Sequence, residues 1–248
     1  MVDTIKVSGR TGMLMERTGE QTLASLIRSP TPLSLDLVRR YGDELFQAVD
    51  YLEQKGIAHR DIKPDNVGVG AVGGNGRKGL VLFDFSLART PPENIQAGTR
   101  PYLDPFVSLH HPPRWDLHAE RYAVAVTLNE MLTGEPPVWG DGLSDPAATD
   151  DEARIGAERF EPTLRDGLVA FFRRAFSRAP EERFGNAEDM LRAWRQAFAL
   201  LDRRPIGQDD LEVIARQLAA AARLPNWASA LKRATSCYGC ISTQSSNS

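Results

Sequence analysis

The segment from His59 to Asn66 and the acidic triplet that begins at Asp84 constrain this chain more than any other feature. The segment reads His-Arg-Asp-Ile-Lys-Pro-Asp-Asn, and the triplet, Asp-Phe-Ser, begins eighteen residues after Asn66. Asp61 can orient a hydroxyl group, and Lys63 can balance charge on a transferring phosphoryl group. Asn66 and Asp84 offer oxygen ligands of the kind that Mg²⁺ prefers. A solvated charged turn would not explain the second acidic motif.

An H-R-D loop with Asn five residues after the Asp, followed by a D-F-G-type triplet, resembles the signature of bacterial-type Ser/Thr protein kinases. Gly98–Phe106 resembles the substrate-docking end of a kinase activation segment, and residues 119–134 resemble the buried central helix of the large lobe. Ala179–Phe184 resembles the D-P-x-x-R element of the family. The sequence of the docking segment resembles that of large multidomain bacterial kinases, the PglW-like group. The implied fold class is α+β, a mostly α-helical kinase large lobe with a small β-hairpin at the active site and a remnant of small-lobe strands.

The resemblance implies ATP and Mg²⁺ as cofactors and a protein Ser or Thr hydroxyl as the phosphate acceptor. The catalytic residues that it implies are Asp61, Lys63, Asn66 and Asp84. Asn66 and Asp84 are the implied metal ligands, and Thr99 is expected to position the substrate hydroxyl. The residues expected to contact the nucleotide are Met15, Glu16, Thr18, Lys63, Asn66 and Asp84. The residues with expected structural roles are His59, Arg60, Phe85, Glu120 and Arg183.

The chain departs from the family pattern at several of these positions. Asp104-Pro105-Phe106 replaces Ala-Pro-Glu, and Glu120 stands where the family has Asp. Arg183 normally pairs with the glutamate that Phe106 replaces. We therefore expect this ion pair to be absent or rebuilt with Asp104.

Several other residues could have a functional role, but most of them are explained more simply without one. Ser86 replaces the glycine of the triplet and is expected to bias the segment towards one state, since glycine alone adopts unusual backbone angles freely. Thr90 is a candidate phosphorylation site answered by Arg60, although a plain exposed threonine is favoured. The histidines at 110, 111 and 118 lack the Cys or carboxylate array of a metal site. The turn Gly73–Gly76 does not match a phosphate-binding loop.

Hydrophobic periodicity and turn residues predict the domain organisation. Residues 1–18 are interpreted as two small-lobe strands, Thr4–Val7 and Gly12–Glu16, which are joined by a turn over residues 8–11 and followed by the hinge. Residues 19–204 form the large lobe, in which Ser34 caps a helix that ends at Gly56 and has Leu37, Tyr41, Leu45, Val49 and Leu52 on its apolar face. Val67–Val69 and Leu80–Phe83 are predicted to form the hairpin. Two later helices are predicted to turn apolar residues towards the core: Leu164, Leu168, Phe171, Phe172 and Phe176 on the first, and Met190, Leu191, Trp194 and Phe198 on the second. Residues 205–234 are predicted to form a helical extension. Residues 235–248 are predicted to be a disordered tail, because Ser, Thr, Gln and Asn bury little apolar area.

Most of the small lobe is expected to be missing. A complete kinase holds ATP with a Gly-rich loop, a strand lysine and a helical glutamate. The 58 residues before His59 contain no G-x-G-x-x-G, and Lys6 leaves no room for the glutamate helix before the hinge. We therefore expect a truncated kinase that is weak or inactive alone, with another chain or domain supplying or covering the small lobe. The alternatives are a non-catalytic, pseudokinase-like interaction module and a small-molecule phosphotransferase of the aminoglycoside or choline type. Lys63 and the docking segment favour a protein hydroxyl.

Composition sets limits on location and partners. A net charge of −3 provides no basic patch for nucleic acid, and the longest apolar stretch is too short to cross a bilayer. The first residues lack the pattern of a signal peptide. Cys237 and Cys240 are interpreted as bystander thiols, because no partner cysteines exist. These features predict a cytoplasmic protein that binds neither nucleic acid nor membrane.

Overall fold

Among the residues that the structure describes, more lie in helices than in strands. The structure, a computed structural model, describes residues 3–7, 10–14, 21–71 and 78–201. The α-helices are α1 (Leu23–Ile27), α2 (Leu35–Gln54), α3 (Leu117–Thr133), α4 (Arg165–Ala175) and α5 (Ala187–Ala197). The strands are β1 (Asp3–Val7), β2 (Arg10–Leu14), β3 (Gln21–Thr22), β4 (Val67–Ala71), β5 (Lys78–Leu82), β6 (Val138–Trp139) and β7 (Ala153–Arg154).

The sheets within the described ranges are antiparallel. Strand β1 pairs with β2, with Asp3 opposite Leu14 and Val7 opposite Arg10. The predicted turn over residues 8–11 was therefore too long, because Arg10 and Thr11 already pair with β1. The second sheet has the order β3-β4-β5, and β6 pairs with β7.

The hairpin of β4 and β5 brings two predicted site residues to the same end of a sheet. Val67 lies opposite Leu82, and the N–H of Phe83 donates to the carbonyl of Asn66 at 3.1 Å. Asn66 therefore lies immediately before β4. Asp84 lies next to it in space, because it directly follows Phe83, the residue that is hydrogen-bonded to Asn66. The predicted hairpin was correct in position, although both strands extend further from the site than expected. Its predicted turn, Gly73–Gly76, lies outside the described residues.

Helix α2 begins and ends at the predicted residues. The Ser34 hydroxyl accepts a hydrogen bond from the N–H of Leu37 at 3.3 Å, and Gly56 adopts a left-handed φ of 65° beyond the C-terminus. Its buried apolar face comprises Val38, Tyr41, Leu45, Phe46 and Val49. The predicted face included Leu37 and Leu52, which are half-buried. Both lie in the terminal turns of the helix.

A close helix contact depends on Gly42 of α2. A Cβ atom at this position would lie 2.4 Å from Nε1 of Trp194 on α5, which is far inside van der Waals contact. The indole N–H donates to the carbonyl of Arg39 at 3.2 Å, and Trp194 is fully buried. The predicted role of Trp194 as a core residue is therefore confirmed.

Helix α3 crosses the centre of the large lobe. Every residue from Ala119 to Met131 is buried, as expected of a helix that is surrounded by protein on all sides. Asp116 caps its N-terminus by accepting from the N–H of Ala119 at 3.1 Å, and Gly134 ends it with a φ of 79°. Because α3 is held on all faces, the polar side chains within it have fixed positions.

The aromatic residues predicted to face inward from α4 and α5 form the other part of the core. The buried residues are Leu164, Leu168, Phe171, Phe172, Phe176, Met190, Leu191, Trp194 and Phe198, as predicted. Phe171 contacts Trp194 edge to face, with ring centroids 5.4 Å apart. Residues 202–248 lie outside the described residues, and with them the predicted linker, helical extension, tail and cysteine pair.

Candidate active site

The buried carboxylate of Glu120 holds the backbone of the loop that begins at His59 and Arg60. Glu120 of α3 accepts hydrogen bonds from the N–H of His59 at 2.5 Å and of Arg60 at 2.9 Å. Arg60 has a φ of 67°, a strained value for a residue other than glycine. Burial raises the pKa of Glu120 to about 7, while the two N–H donors act in the opposite direction. Glu120 therefore ties the loop to α3 from the position where the family has Asp.

His59 is buried, and both of its ring nitrogens have partners. Nδ1 lies 3.3 Å from the N–H of Asp61, and Nε2 lies 2.8 Å from the carbonyl of Phe83. Nδ1 must accept, so we assign the proton to Nε2, which donates to the carbonyl. Burial lowers the pKa of His59, which favours this neutral form. Its ring centroid is 4.4 Å from that of Phe85. This arrangement suits a structural histidine.

Asp61 lies at the centre of a compact polar cluster. Its Oδ2 accepts from Lys63 Nζ at 2.7 Å and from Asn66 Nδ2 at 2.9 Å, and its Oδ1 accepts from Thr99 Oγ1 at 2.7 Å. Lys63 Nζ also donates to Thr99 Oγ1 at 2.6 Å. Burial raises the pKa of Asp61, but the hydrogen bonds from Lys63, Thr99 and Asn66 and the charge of Lys63 together hold it below its usual value. Asp61 is therefore ionised at neutral pH.

Asn66 and Asp84 provide the oxygen atoms that a magnesium ion would need. The amide nitrogen of Asn66 donates to the carbonyl and the carboxylate of Asp61, which leaves its Oδ1 as a free acceptor. Asp84 is exposed, and within the described ranges no hydrogen bond or ion pair engages its carboxylate. One carboxylate and one amide fit Mg²⁺, which is usually held by few protein ligands together with phosphate and water. Among described residues, no three His, Cys, Asp or Glu side chains form a metal-binding group.

The predicted nucleotide contacts of the hinge cannot be placed beside this cluster. Met15, Glu16 and Thr18 lie between residues 15 and 20, outside the described residues. Their role therefore stays a prediction. Ser86 is exposed in the short 3-10 turn that follows Asp84, and Asp84 itself has a left-handed φ of 65°.

The ion pair that the sequence put in doubt is present with Asp104. Arg183 donates to Oδ2 of Asp104 at 2.6 Å and to Oδ1 at 3.2 Å, and the two side chains are 3% and 0% exposed. Phe106 is buried against Trp139, with ring centroids 4.9 Å apart. The docking segment is therefore anchored by a carboxylate two residues earlier than in the family pattern, and an aromatic ring fills the position of the missing glutamate.

Arg60 has different partners from those considered in the sequence. Its guanidinium donates to the backbone carbonyls of Thr90, Pro91 and Asn94, and it lies over the ring of Trp115. The expectation that Thr90 is a plain exposed threonine was wrong, because this residue is half-buried, while its phosphorylation stays a prediction.

Two buried polar contacts were missed in the sequence. The hydroxyl of Tyr102 donates to Glu130 at 2.5 Å, and burial raises the pKa of both groups. Arg121 pairs with Glu53 at 2.6 Å, and Glu53 also accepts from the N–H of Ala187 at 3.1 Å. The sequence did contain a signal for these contacts. Arg121 and Glu130 are charged residues within the largely apolar helix α3, and buried charges require partners.

A cleft of about 380 Å³ borders the docking segment. Its wall includes Arg100, Leu103 and Pro105 from that segment, and Trp139 and Leu143 from beyond α3. Leu143 is 93% exposed. The cleft therefore offers an open, partly apolar surface a few residues along the chain from Thr99.

This arrangement of helices, hairpin and polar cluster is that of a protein kinase domain, and comparison with known proteins agrees. The model of the protein kinase domain family matches residues 1–194, and the chain belongs to this family. The predicted fold class is therefore confirmed.

Two of the relatives are bacterial kinases. The probable kinase PglW of Streptomyces coelicolor is 49% identical over 194 residues, which are 77% of this chain and 12% of that protein. The serine/threonine-protein kinase PknE of Mycobacterium tuberculosis is 31% identical over 190 residues, which are 73% of this chain and 32% of that protein. The chain thus spans less than a third of the length of either relative.

Solved structures show the same fold. The kinase domain of Mycobacterium tuberculosis PknI, in a single-mutant form, superimposes with a TM-score of 0.54 at 26% identity, covering 79% of this chain and 69% of that one. A double-mutant form gives a TM-score of 0.55 at 24% identity. Of the helices in the described ranges, none is long and apolar enough to cross a membrane.

Proposed function

We propose that this chain is the catalytic part of a Ser/Thr protein kinase, which transfers the γ-phosphoryl group of ATP to a protein hydroxyl. The arrangement around Asp61 carries the proposal. An ionised carboxylate has about four lone-pair positions for hydrogen bonds. Lys63, Asn66 and Thr99 occupy three of them. One position, on Oδ1, remains for the hydroxyl of a substrate.

The lowered pKa of Asp61 indicates how this carboxylate acts. A carboxylate stabilised by three donors is a weak base in the ground state, so its first task is to orient the hydroxyl that accepts the phosphoryl group. Proton transfer to Oδ1 becomes favourable as the hydroxyl oxygen bonds to phosphorus and its acidity rises. Thr99 and Lys63 hold the carboxylate in position throughout.

Lys63 and Thr99 favour a protein substrate over a small molecule. The lysine ammonium contacts both Asp61 and Thr99, and it can stabilise negative charge on the transferring group. Thr99 belongs to the docking segment, which also forms the wall of the open cleft. This couples the catalytic carboxylate to a surface that an extended polypeptide can occupy.

Asn66 and Asp84 are the proposed ligands of Mg²⁺, which would neutralise charge on the phosphates of bound ATP. The relatives named as serine/threonine kinases support ATP as the phosphate donor. The Gly-rich loop and the lysine of the small lobe have no counterpart in residues 1–58. The proposal therefore includes another chain or domain that supplies these groups, and we expect the 248 residues alone to bind ATP weakly.

The test is transfer of radioactive phosphate from MgATP to a generic protein such as casein, at millimolar MgATP. We expect Asp61→Asn to lower the rate by about 10²- to 10⁴-fold, the range for loss of a general base. Thr99→Val removes the hydrogen bonds that join this hydroxyl to Asp61 and Lys63, and should lower the rate by at least roughly 10- to 100-fold, the range for one bond to an ionised group. Asp166→Asn, which neutralises an exposed carboxylate on α4, is the matched control and should match the unmodified chain. Once titration has established that the chain binds MgATP under the assay conditions, equal signal from the unmodified chain and Asp61→Asn would eliminate the catalytic proposal.

A pseudokinase-like interaction module is the second candidate function. One observation favours it: Phe85 beside the site is 41% exposed, although it is a large apolar side chain. The intact cluster of Asp61, Lys63 and Asn66 argues against it, because a docking module has no need of this geometry. Equal signals in the assay above would make this candidate the better one.

A further inference from the structure

We propose that Arg60 and Trp115 are positioning residues that hold the activation segment, residues 84–106, in its docking conformation without a phosphate group on that segment. The inference rests on the proposed function, since the segment carries Thr99 to Asp61. Its basis is the set of contacts that Arg60 makes with residues 90–94.

Backbone carbonyl groups accept hydrogen bonds from both terminal nitrogens of the Arg60 guanidinium, while its buried Nε has no partner among the described residues. Nη1 donates to the carbonyl of Thr90 and, at 3.0 Å, to that of Pro91. Nη2 donates to the carbonyl of Asn94 at 2.9 Å. A guanidinium has five N–H donors in a planar fork, which matches either a phosphate group or a set of converging carbonyl oxygens. In this chain the carbonyl oxygens occupy the fork.

Trp115 contacts both the segment and Arg60. Its backbone N–H donates to the carbonyl of Pro92 at 2.8 Å, and its ring centroid lies 4.7 Å from the Arg60 guanidinium carbon. The ring therefore supports the cation through its negative face. Together the two residues engage four carbonyl groups, those of Thr90, Pro91, Pro92 and Asn94.

The local charges make an added phosphate unnecessary. Arg60 is buried, and its pKa is lowered mainly by this burial, while the carboxylates of Glu120 and Glu93 act in the opposite direction. Glu93 lies within the held segment, so the segment brings its own negative charge to the arginine. Pro91 and Pro92 also restrict the backbone of the segment before any contact forms, which lowers the entropy cost of ordering it.

The held turn leads directly to the catalytic cluster. The N–H of Asn94 donates to the carbonyl of Pro91 at 3.0 Å, and the N–H of Ala97 donates to the carbonyl of Asn94 at 3.3 Å. Thr99 follows two residues later and contacts Asp61. Fixing residues 90–94 therefore limits where Thr99 can lie.

Hydrogen exchange measured by mass spectrometry tests this inference on the full 248-residue chain. The chain is treated with a protein phosphatase, and its intact mass establishes that no phosphate remains. We expect the amides of residues 90–97 to exchange at least about 10-fold more slowly than in an unstructured peptide. In Arg60→Lys, exchange in this segment should accelerate by roughly 10- to 100-fold, because hydrogen bonds from a charged donor are lost. Arg89→Lys, an exposed arginine in the same segment, is the matched control and should leave exchange unchanged.

A general loss of structure is distinguished by the amides of α2 and α3. They should keep their protection in Arg60→Lys, whereas a misfolded variant would lose it. If Arg60→Lys does not fold, Trp115→Leu replaces it, since this change removes the ring but keeps the backbone N–H. Fast exchange of residues 90–97 in the phosphate-free chain would overturn the inference, as would full protection in the variants that fold. Exchange requires no catalysis, so this result and the activity assay with Asp61→Asn fail or succeed independently.

Discussion

Replacement of Asp104 by Asn tests whether the relocated ion pair anchors the docking segment. The side chains of Asp104 and Arg183 are 0% and 3% exposed, so the change leaves the guanidinium charge buried without its counter-ion. Removal of one partner from a buried pair costs about 3–5 kcal/mol. In the variant, Arg183 can still donate a hydrogen bond to the carbonyl of Ser177, at 2.6 Å in the unmodified chain. The introduced Asn can still accept one from the N–H of Phe106. We therefore expect the lower end, about 3 kcal/mol.

Urea denaturation of the purified chain measures this loss. The slope of the unfolding free energy against urea concentration should stay unchanged, because the variant exposes the same surface area on unfolding. The corresponding fall in melting temperature is roughly 6–12 °C for a domain of this size. The double variant Asp104→Asn, Arg183→Met should be more stable than Asp104→Asn, because it removes the unpaired charge. We expect a coupling free energy of about 2 kcal/mol from the double-mutant cycle.

Glu188→Gln is the matched control for this prediction. Glu188 and Arg192 form a pair on α5 at 3.2 Å, with side chains 66% and 65% exposed. Such a pair contributes less than about 0.5 kcal/mol. The reasoning would be refuted if Asp104→Asn destabilised the chain by less than about 1 kcal/mol at an unchanged slope.

Two further predictions concern the core. The pKa of Glu120 is raised from 4.5 in the unfolded chain to about 7, so the folded state binds more protons between these values. Its contribution to the unfolding free energy should therefore fall by about 3 kcal/mol as the pH rises from 4.5 to 7. Glu120→Gln should flatten this part of the pH curve, and exposed Glu158→Gln should not; parallel curves for all three proteins would contradict the prediction. Gly42→Ala should cost about 1–3 kcal/mol through its clash with Trp194, whereas Gly185→Ala, where a Cβ atom would lie 3.7 Å from its neighbour, should cost less than about 1 kcal/mol. Equal melting temperatures of these two variants would disprove the steric argument.

Local patterns predicted the elements that carry the site. The caps at Ser34 and Gly56 placed α2, and the apolar strands after Asn66 placed the hairpin that ends near Asp84. These predictions succeeded because they depend on residues close together in the chain. Caps, turns and strand pairing in a hairpin are governed by short-range sterics and hydrogen bonds.

Contacts between distant segments were not predictable in the same way. Thr90 as a phosphorylation site whose phosphate Arg60 would contact stays a prediction, whereas nothing in the sequence indicated that the donors of Arg60 reach three backbone carbonyls. Backbone carbonyl groups are present at every residue, so no side-chain pattern distinguishes the ones that converge. Gly42 likewise carried no signal until Trp194, far along the chain, was packed against it.

The sequence by itself determined the family, the order of the elements and the identity of the polar residues that form the candidate site, because the spacing of His59–Asn66 and Asp84 is a local property. Only the tertiary structure decided how these residues are held. It paired Asp104 with Arg183 and bound the backbone of His59 and Arg60 to the carboxylate of Glu120. It also directed the guanidinium of Arg60 at the carbonyl groups of residues 90–94. The physical reason is that burial makes each unpaired charge costly, and which partners can satisfy it depends on how the helices pack.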